Sequence, residues 1–381
     1  MEFAVAADHV FDGTLLRHDY AVVIEGPRIR AVMPRNDVPE STCCHRLPRG
    51  AWLAPGFIDT QVNGGGDVLF NDDPSPRGIA AIAAAHRRFG TTAMLPTLLS
   101  DTPEKMRAAR EAIEAVAGVD PSVIGLHYEG PFLSPDKAGV HDRGMLRRPE
   151  PGDRDLLAPL RNGVTLVTLA PEQVPEGFIT QLAEAGVRVS LGHSMATYAQ
   201  TRAAVSEGLT GFTHLFNAMR PLASREPGPI AAALEEPGTW FGMIVDGEHV
   251  APAMLRLALR GAGKAMLVTD AMPPVGGSFA DFRLYRQRIT LRDGRCTIAG
   301  GTLAGSVLDM ASAVRNCVRM LDLPLAEALT LATTSPAAFL GIEGWLGRLA
   351  PGYRADLVAL DPDTVEILAT WIAGRVLPRE V

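Results

Sequence analysis

This 381-residue chain lacks long apolar runs, paired cysteines and an excess of positive charge. No apolar stretch reaches the roughly 18 residues of a transmembrane helix. The segment from Met1 to Gly13 carries acids where a signal peptide has Lys and Arg. The four cysteines, Cys43, Cys44, Cys296 and Cys317, show no C-x-x-C spacing and two of them adjoin. That pattern indicates neither a disulfide framework nor a structural zinc site. A net charge of −7 gives no general field for nucleic acid or an anionic membrane. An anionic substrate therefore needs a local cluster of basic groups. The expectation is a cytoplasmic protein with neither nucleic-acid nor membrane partners. What is present is ordinary for a soluble globular chain, 47% hydrophobic and 21% charged. The length suffices for a barrel of about 250 residues plus a smaller second domain.

Both ends of the sequence read as short strands. Phe3–Ala6, Tyr20–Ile24 and Ile29–Met33 follow one another with a Gly26-Pro27 turn before the third. Near the other end stand Leu357–Leu360, Val365–Leu368 and Thr370–Ala373. Strand runs without helices between them suggest a small β-sandwich. Each end alone is too short to bury a core. One discontinuous sandwich of residues 1–53 and 346–381 is therefore expected, around a central domain of residues 54–345.

The central segment alternates apolar runs with Ala-rich stretches of helical spacing, the pattern of βα repeats around a parallel sheet. Eight runs are found: Gly56–Asp59, Thr92–Thr97, Val123–His127, Val164–Leu169, Val187–Leu191, Gly211–Leu215, Phe241–Val245 and Ala265–Thr269. Helices are expected at Pro76–Phe89, Pro103–Ala117, Tyr198–Glu207 and Pro252–Gly261. Eight units argue for a closed (β/α)₈ TIM-type barrel. Residues 283–299 read instead as a β-hairpin, Gln287–Leu291 and Arg295–Ile298 around Asp293-Gly294, inserted after the eighth strand.

In such a barrel the chemistry sits just past the C-terminal ends of the strands. Gln61 and Asn63 follow the first strand, Glu129 the third, His193 the fifth and His214 the sixth. Asp246-Gly247-Glu248-His249 follows the seventh strand and Asp270 the eighth. Each residue also has a purely structural reading. A histidine at a strand end is commonly a hydrogen-bonded rim residue, Glu129 before Gly130-Pro131 can organise a turn, and Asp270 can cap a helix. Together they weigh differently, because a carboxylate and two imidazoles from separate strands make a three-ligand metal site. Such a site leaves a fourth position open, as a hydrolytic zinc requires. Gly64-Gly65-Gly66 and Gly300–Ser306 are neither a Walker A loop nor a G-x-G-x-x-G turn. Both read as turns. The second has an alternative as a phosphate cradle, if Ser306–Arg319 is a helix whose N-terminus faces the rim.

These residues resemble the amidohydrolase superfamily and, within it, the N-acetylglucosamine-6-phosphate deacetylase family. The resemblance rests on Pro55–Asp59, His127–Phe132, Leu191–Ser194, Thr213–Met219, Arg225–Gly228 and Val268–Ala271. It implies that Glu129, His193 and His214 bind one divalent metal, zinc, and that Asp270 is the general base and acid. His141 is expected at the substrate carbonyl, while His249, Arg225, Asn217 and Ala218 bind the phosphate side of a phosphorylated amino sugar. Arg225 is expected to reach the neighbouring subunit's site in a homodimer.

Many superfamily members carry a His-x-His pair for a second metal where this chain has Gln61 and Asn63. Neutral amides are poor zinc ligands, so a one-metal site with these two side chains near the substrate is expected. The implied reaction is deacetylation of N-acetyl-D-glucosamine 6-phosphate. The alternatives are a related N-acetyl hexosamine phosphate, such as N-acetylgalactosamine 6-phosphate, and a non-catalytic assembly protein of the same fold. The last gives no reason to keep the ligands and Asp270. A cyclic-amide hydrolase wants a bridging lysine after strand four, where Ala170-Pro171-Glu172 stands.

Overall fold

The computed structural model describes residues 2–377, which fall into two compact units. One holds the residues up to Asp59, His86–Ala93 and those from Asp309 onward. The other holds Thr60–Ala85 and Met94–Leu308.

The first unit is built on one eight-stranded sheet that takes strands from both ends of the chain. Glu2–Phe11 pairs antiparallel with Leu16–Glu25, which pairs with Arg28–Pro34. On its other side Glu2–Phe11 pairs with Cys43–Arg46 and Trp52–Pro55, and the latter pairs with Leu357–Leu360. Side chains alternate between faces with period two. Val5 and Ala7 accordingly join Val22, Leu53, Leu357 and Trp371 in one core, while Ala4 and Ala6 join Ala21 and Val23 in another. The two runs expected at Val365–Leu368 and Thr370–Ala373 are one strand, Ile367–Ile372.

Helices Met310–Leu321, Leu325–Ala332 and Thr334–Leu340 belong to this unit, so its limits differ from the expected 345/346 division. One physical reason is the turn at Asp12-Gly13. Gly13 has φ +98°, and a β-carbon there would lie 3.0 Å from the Gly347 carbonyl and 3.2 Å from the Thr334 methyl. Only glycine allows this close packing.

A parallel sheet runs in the order 264–267, 240–243, 211–212, 188–191, 164–169, 125–129, 91–99 and 57–62. All eight expected runs are strands of this nearly closed barrel. Past the first and eighth strands, Val62 bridges Ala271 and the Asp270 amide donates to the Gln61 carbonyl at 3.0 Å. Helices lie between the strands, and their starts are written locally. Thr102 caps Pro103–Val116, whose Met106, Ala109, Ile113 and Val116 are buried. Thr197 and Gln200 form a reciprocal capping box at the start of Tyr198–Ser206.

The hairpin after strand eight has a third strand, giving an antiparallel sheet of Asp281–Leu284, Gln287–Arg292 and Arg295–Thr297. Leu284, Ile289 and Cys296 pack with Leu69, Leu99 and Met272. The helix expected from Ser306 begins only at Met310, with Asp309 as its N-cap. A carboxylate at that position disfavours an anion there, so the helix-based cradle does not form. Among the described residues no helix is long and apolar enough to cross a membrane.

Candidate active site

The barrel brings most of the expected residues to one cavity of about 350 Å³. Asn63, Glu129, His141, His193, His214, Asn217, Ala218, His249 and Asp270 all line it. The backbone past the strands is unusual. His193, His214, Ala218 and Asp270 have φ of +48°, +32°, +50° and +53°. A non-glycine residue held this way costs roughly 1–3 kcal/mol, and such strain gathers where side chains must be aimed.

Glu129, His193 and His214 are 1%, 5% and 4% exposed. Glu129 Oε1 lies 3.1 Å from His193 Nε2 and 3.0 Å from His214 Nε2, and the two ring nitrogens are 3.1 Å apart. His193 Nδ1 sits 2.8 Å from the Lys137 carbonyl oxygen. With a metal present, that contact would keep a proton on Nδ1 and leave Nε2 a lone pair for the ion. A single shared proton cannot relieve all three contacts. A divalent ion bound at about 2.0–2.2 Å suits a triangle with these edges. Burial works to raise the Glu129 carboxyl, but the hydrogen bonds of His193 and His214 outweigh it and hold it well below the usual range. The donor set fits a metal, with the fourth side toward the cavity.

Asp270 stands beside this triad. Burial, then the Glu129 charge, push its carboxyl up to about 6. Gln61 Nε2 donates to both Glu129 oxygens, at 3.2 and 3.1 Å, and to Asp270 Oδ1 at 3.1 Å. Asn63 Nδ2 donates to the same Asp270 oxygen at 2.6 Å. The two amides thus aim N–H groups at the carboxylates. His249 Nδ1 is 2.6 Å from Asp246 Oδ2, which fixes the ring of a residue that lines the cavity.

A scan against protein families matches the Amidohydrolase family over residues 52–377. The chain belongs to the amidohydrolase family. Relatives within it include a Shewanella sp. protein named N-acetylgalactosamine-6-phosphate deacetylase. It is 46% identical over 343 residues, covering 87% of this chain and 84% of the relative. A Haemophilus influenzae protein named N-acetylglucosamine-6-phosphate deacetylase is 32% identical over 380 residues, covering 98% and 99%. The crystal structure of N-acetylglucosamine-6-phosphate deacetylase from Pasteurella multocida superposes with a TM-score of 0.95 at 34% identity. It covers 99% of this chain and 100% of that one.

Of the expected site residues, Gln61 and Arg225 are not in the cavity lining. Arg225 is exposed and does not line the cavity. Its neighbour Glu226 is structural, accepting from the Tyr198 amide at 2.7 Å and the Gly228 amide at 3.1 Å. His127 is also structural in this amidohydrolase. Its Nδ1 meets the Thr60 carbonyl at 3.1 Å and its Nε2 the Thr168 hydroxyl at 2.7 Å. Burial pushes its pKa down to about 4.

Sequence reasoning missed Lys137, the one Lys or Arg among the described residues in the cavity lining. It also missed Ser100 and Tyr285. Only the position of Lys137, four residues before His141, offered a signal. Thr302, Leu303 and Gly305 of the second glycine-rich loop line the cavity too.

Proposed function

We propose that this amidohydrolase hydrolyses the acetamide of N-acetyl-D-glucosamine 6-phosphate, giving D-glucosamine 6-phosphate and acetate. The observation that carries this is the buried Glu129–His193–His214 triad with Asp270 beside it in one cavity, in a chain similar along its length to deacetylases of phosphorylated amino sugars. The metal of the triad is taken as one zinc ion per subunit, because Gln61 and Asn63 fill the neighbouring position with amide N–H groups. A divalent metal there supplies Lewis acidity toward the amide carbonyl and lowers the pKa of water toward 7.

The chain's own groups do the rest. Asp270, buried beside the triad and held by Gln61 and Asn63, takes a proton from the attacking water and returns it to the departing nitrogen. Such a shuttle is typically worth about 10²–10⁴ in rate. His141 is neutral at pH 7, since burial and then His193 push its pKa down to about 3, and it donates to the carbonyl oxygen as negative charge develops there. His249, Asn217, Ala218 and Lys137 receive the sugar phosphate, whose binding energy positions the acetamide. Arg225 is assigned to the phosphate of a partner subunit in a homodimer, which suits its exposure and its absence from this chain's own cavity lining. A phosphorylated sugar does not cross membranes unaided, so the reaction is placed in the cytoplasm.

The 46% identity to the Shewanella protein named for N-acetylgalactosamine 6-phosphate favours a second reading, in which that epimer is the preferred substrate. Acetate release from both 6-phosphorylated epimers and their unphosphorylated forms tests the proposal. The 6-phosphates should react and the free sugars should be poor substrates. Absence of acetate release from all four with the zinc-loaded protein refutes it.

A further inference from the structure

The three-stranded sheet inserted after barrel strand eight meets the end of a barrel strand through Tyr285. Tyr285 follows its first strand and has φ +52°, a conformation that its β-carbon disfavours. Its hydroxyl donates to the Ser100 carbonyl at 2.6 Å. Ser100 directly follows barrel strand Thr91–Leu99. Asn71 clamps the end of that strand, accepting from the Leu99 amide at 3.0 Å and donating to the Leu99 carbonyl at 3.0 Å.

Held in this way, Ser100 presents two groups to one ring atom. Its amide lies 3.2 Å and its Oγ 2.8 Å from His141 Nδ1. A backbone N–H can only donate, so Nδ1 must be the unprotonated nitrogen. The ring proton of neutral His141 is thereby placed on Nε2, the opposite edge, in a side chain that lines the cavity.

We propose that Ser100 and Tyr285 are positioning residues for the deacetylation, setting the tautomer and angle of His141 so that its Nε2–H meets the substrate carbonyl. This rests on the function proposed above. It also gives the inserted sheet a task, since Tyr285 ties it to the loop that addresses His141. Without Tyr285 the Ser100 carbonyl loses its partner and the turn after the strand loosens, so the Ser100 hydroxyl and amide hold Nδ1 less firmly and either ring nitrogen can then carry the proton. A donor placed on Nδ1 faces Ser100 and is lost to the reaction.

The direct test is ¹⁵N NMR of histidine-labelled protein, metal-free and zinc-loaded, with the His141 ring signals assigned from the spectrum of His141→Gln. Wild type should show an unprotonated Nδ1 and a protonated Nε2. Tyr285→Phe, which removes only a hydroxyl, and Ser100→Ala should shift His141 toward a mixture of tautomers. Each should lower kcat by about 3- to 10-fold, the worth of one hydrogen bond, with KM held within about twofold. Ser100→Thr, which keeps the hydroxyl, should restore the loss. In a His141→Gln background neither variant should lower kcat further, because coupled residues are not additive.

A protonated Nδ1 in wild type overturns the proposal, as do undiminished losses in the His141→Gln background. The spectrum needs no substrate, so the two readings fail separately. The expected tautomer in a protein that releases no acetate sinks the deacetylase function and leaves the Ser100–His141 arrangement standing.

Discussion

Replacing Asp270 by Asn tests the proposed proton shuttle apart from everything else at the site. The amide keeps an Oδ1 that can accept from Asn63 Nδ2 and Gln61 Nε2, as the carboxylate does at 2.6 and 3.1 Å. It loses the negative charge and the ability to carry a proton. The triad of Glu129, His193 and His214 is untouched, so metal content should be unchanged while kcat falls by about 10² or more.

The charge also bears on stability. In the metal-free protein the Asp270 carboxyl is raised from 3.8 to about 6, first by burial and then by Glu129. A carboxyl raised on folding contributes stability below about pH 4 that is lost as pH rises through about 6. At about 1.4 kcal/mol per pH unit the difference amounts to about 3 kcal/mol at neutral pH. Metal-free Asp270→Asn should therefore melt higher than metal-free wild type at pH 7.5, and this gain should vanish near pH 4. Steady-state acetate release, elemental analysis and paired melting curves at the two pH values supply the measurements. Turnover near that of wild type refutes the role in proton transfer. A melting temperature that falls at pH 7.5 refutes the electrostatic argument.

Elemental analysis of metal-replete protein should find near one equivalent of divalent metal, and two stoichiometric equivalents would contradict the blocking role of Gln61 and Asn63. Glu129→Gln should lose most of that metal, because a neutral amide replaces the one anionic donor; full retention by direct metal measurement would remove Glu129 from the ligand set. Lys137→Met should lower kcat/KM for 6-phosphorylated substrate by roughly 10- to 150-fold, the worth of a charge-assisted contact. Activity on the unphosphorylated sugar should hardly move, and equal losses on both would show that Lys137 does not meet the phosphate. Arg225→Ala should behave in the same way. Mixing its chains with Asp270→Asn chains should partly restore activity if the arginine serves the partner's site, and no return after verified subunit exchange would exclude sharing.

The eight barrel strands were legible because period and punctuation are local. Apolar runs such as Val164–Leu169 are bounded by turn residues, and two of the helices between them carry a readable cap, at Thr102 and Thr197. The rim chemistry was legible for a related reason. A barrel places whatever follows a strand at one end, so position in the sequence alone marks Glu129, His193, His214 and Asp270 as candidates. The misjudged boundaries also have physical causes. Ser306–Leu308 have helix-compatible composition, yet the Ser306 hydroxyl donates to the Thr269 carbonyl at 2.5 Å and the helix waits for the Asp309 cap. The third strand of the insertion, Asp281–Leu284, carries too weak an alternation to be read alone and gains its form by pairing with Gln287–Arg292.

By itself the sequence determined the order of elements and which side chains stand just past strand ends, since both depend on residues within a few positions of one another. Tertiary structure alone decided the contacts that turn those side chains into a site. Ser100 meets His141 across 41 positions, Tyr285 meets Ser100 across 185, and Gln61 meets Asp270 across 209. Periodicity carries no signal over such separations. Only closure of the barrel sets a ring nitrogen against one amide and an amide nitrogen between two carboxylates, and those placements fix where each proton sits.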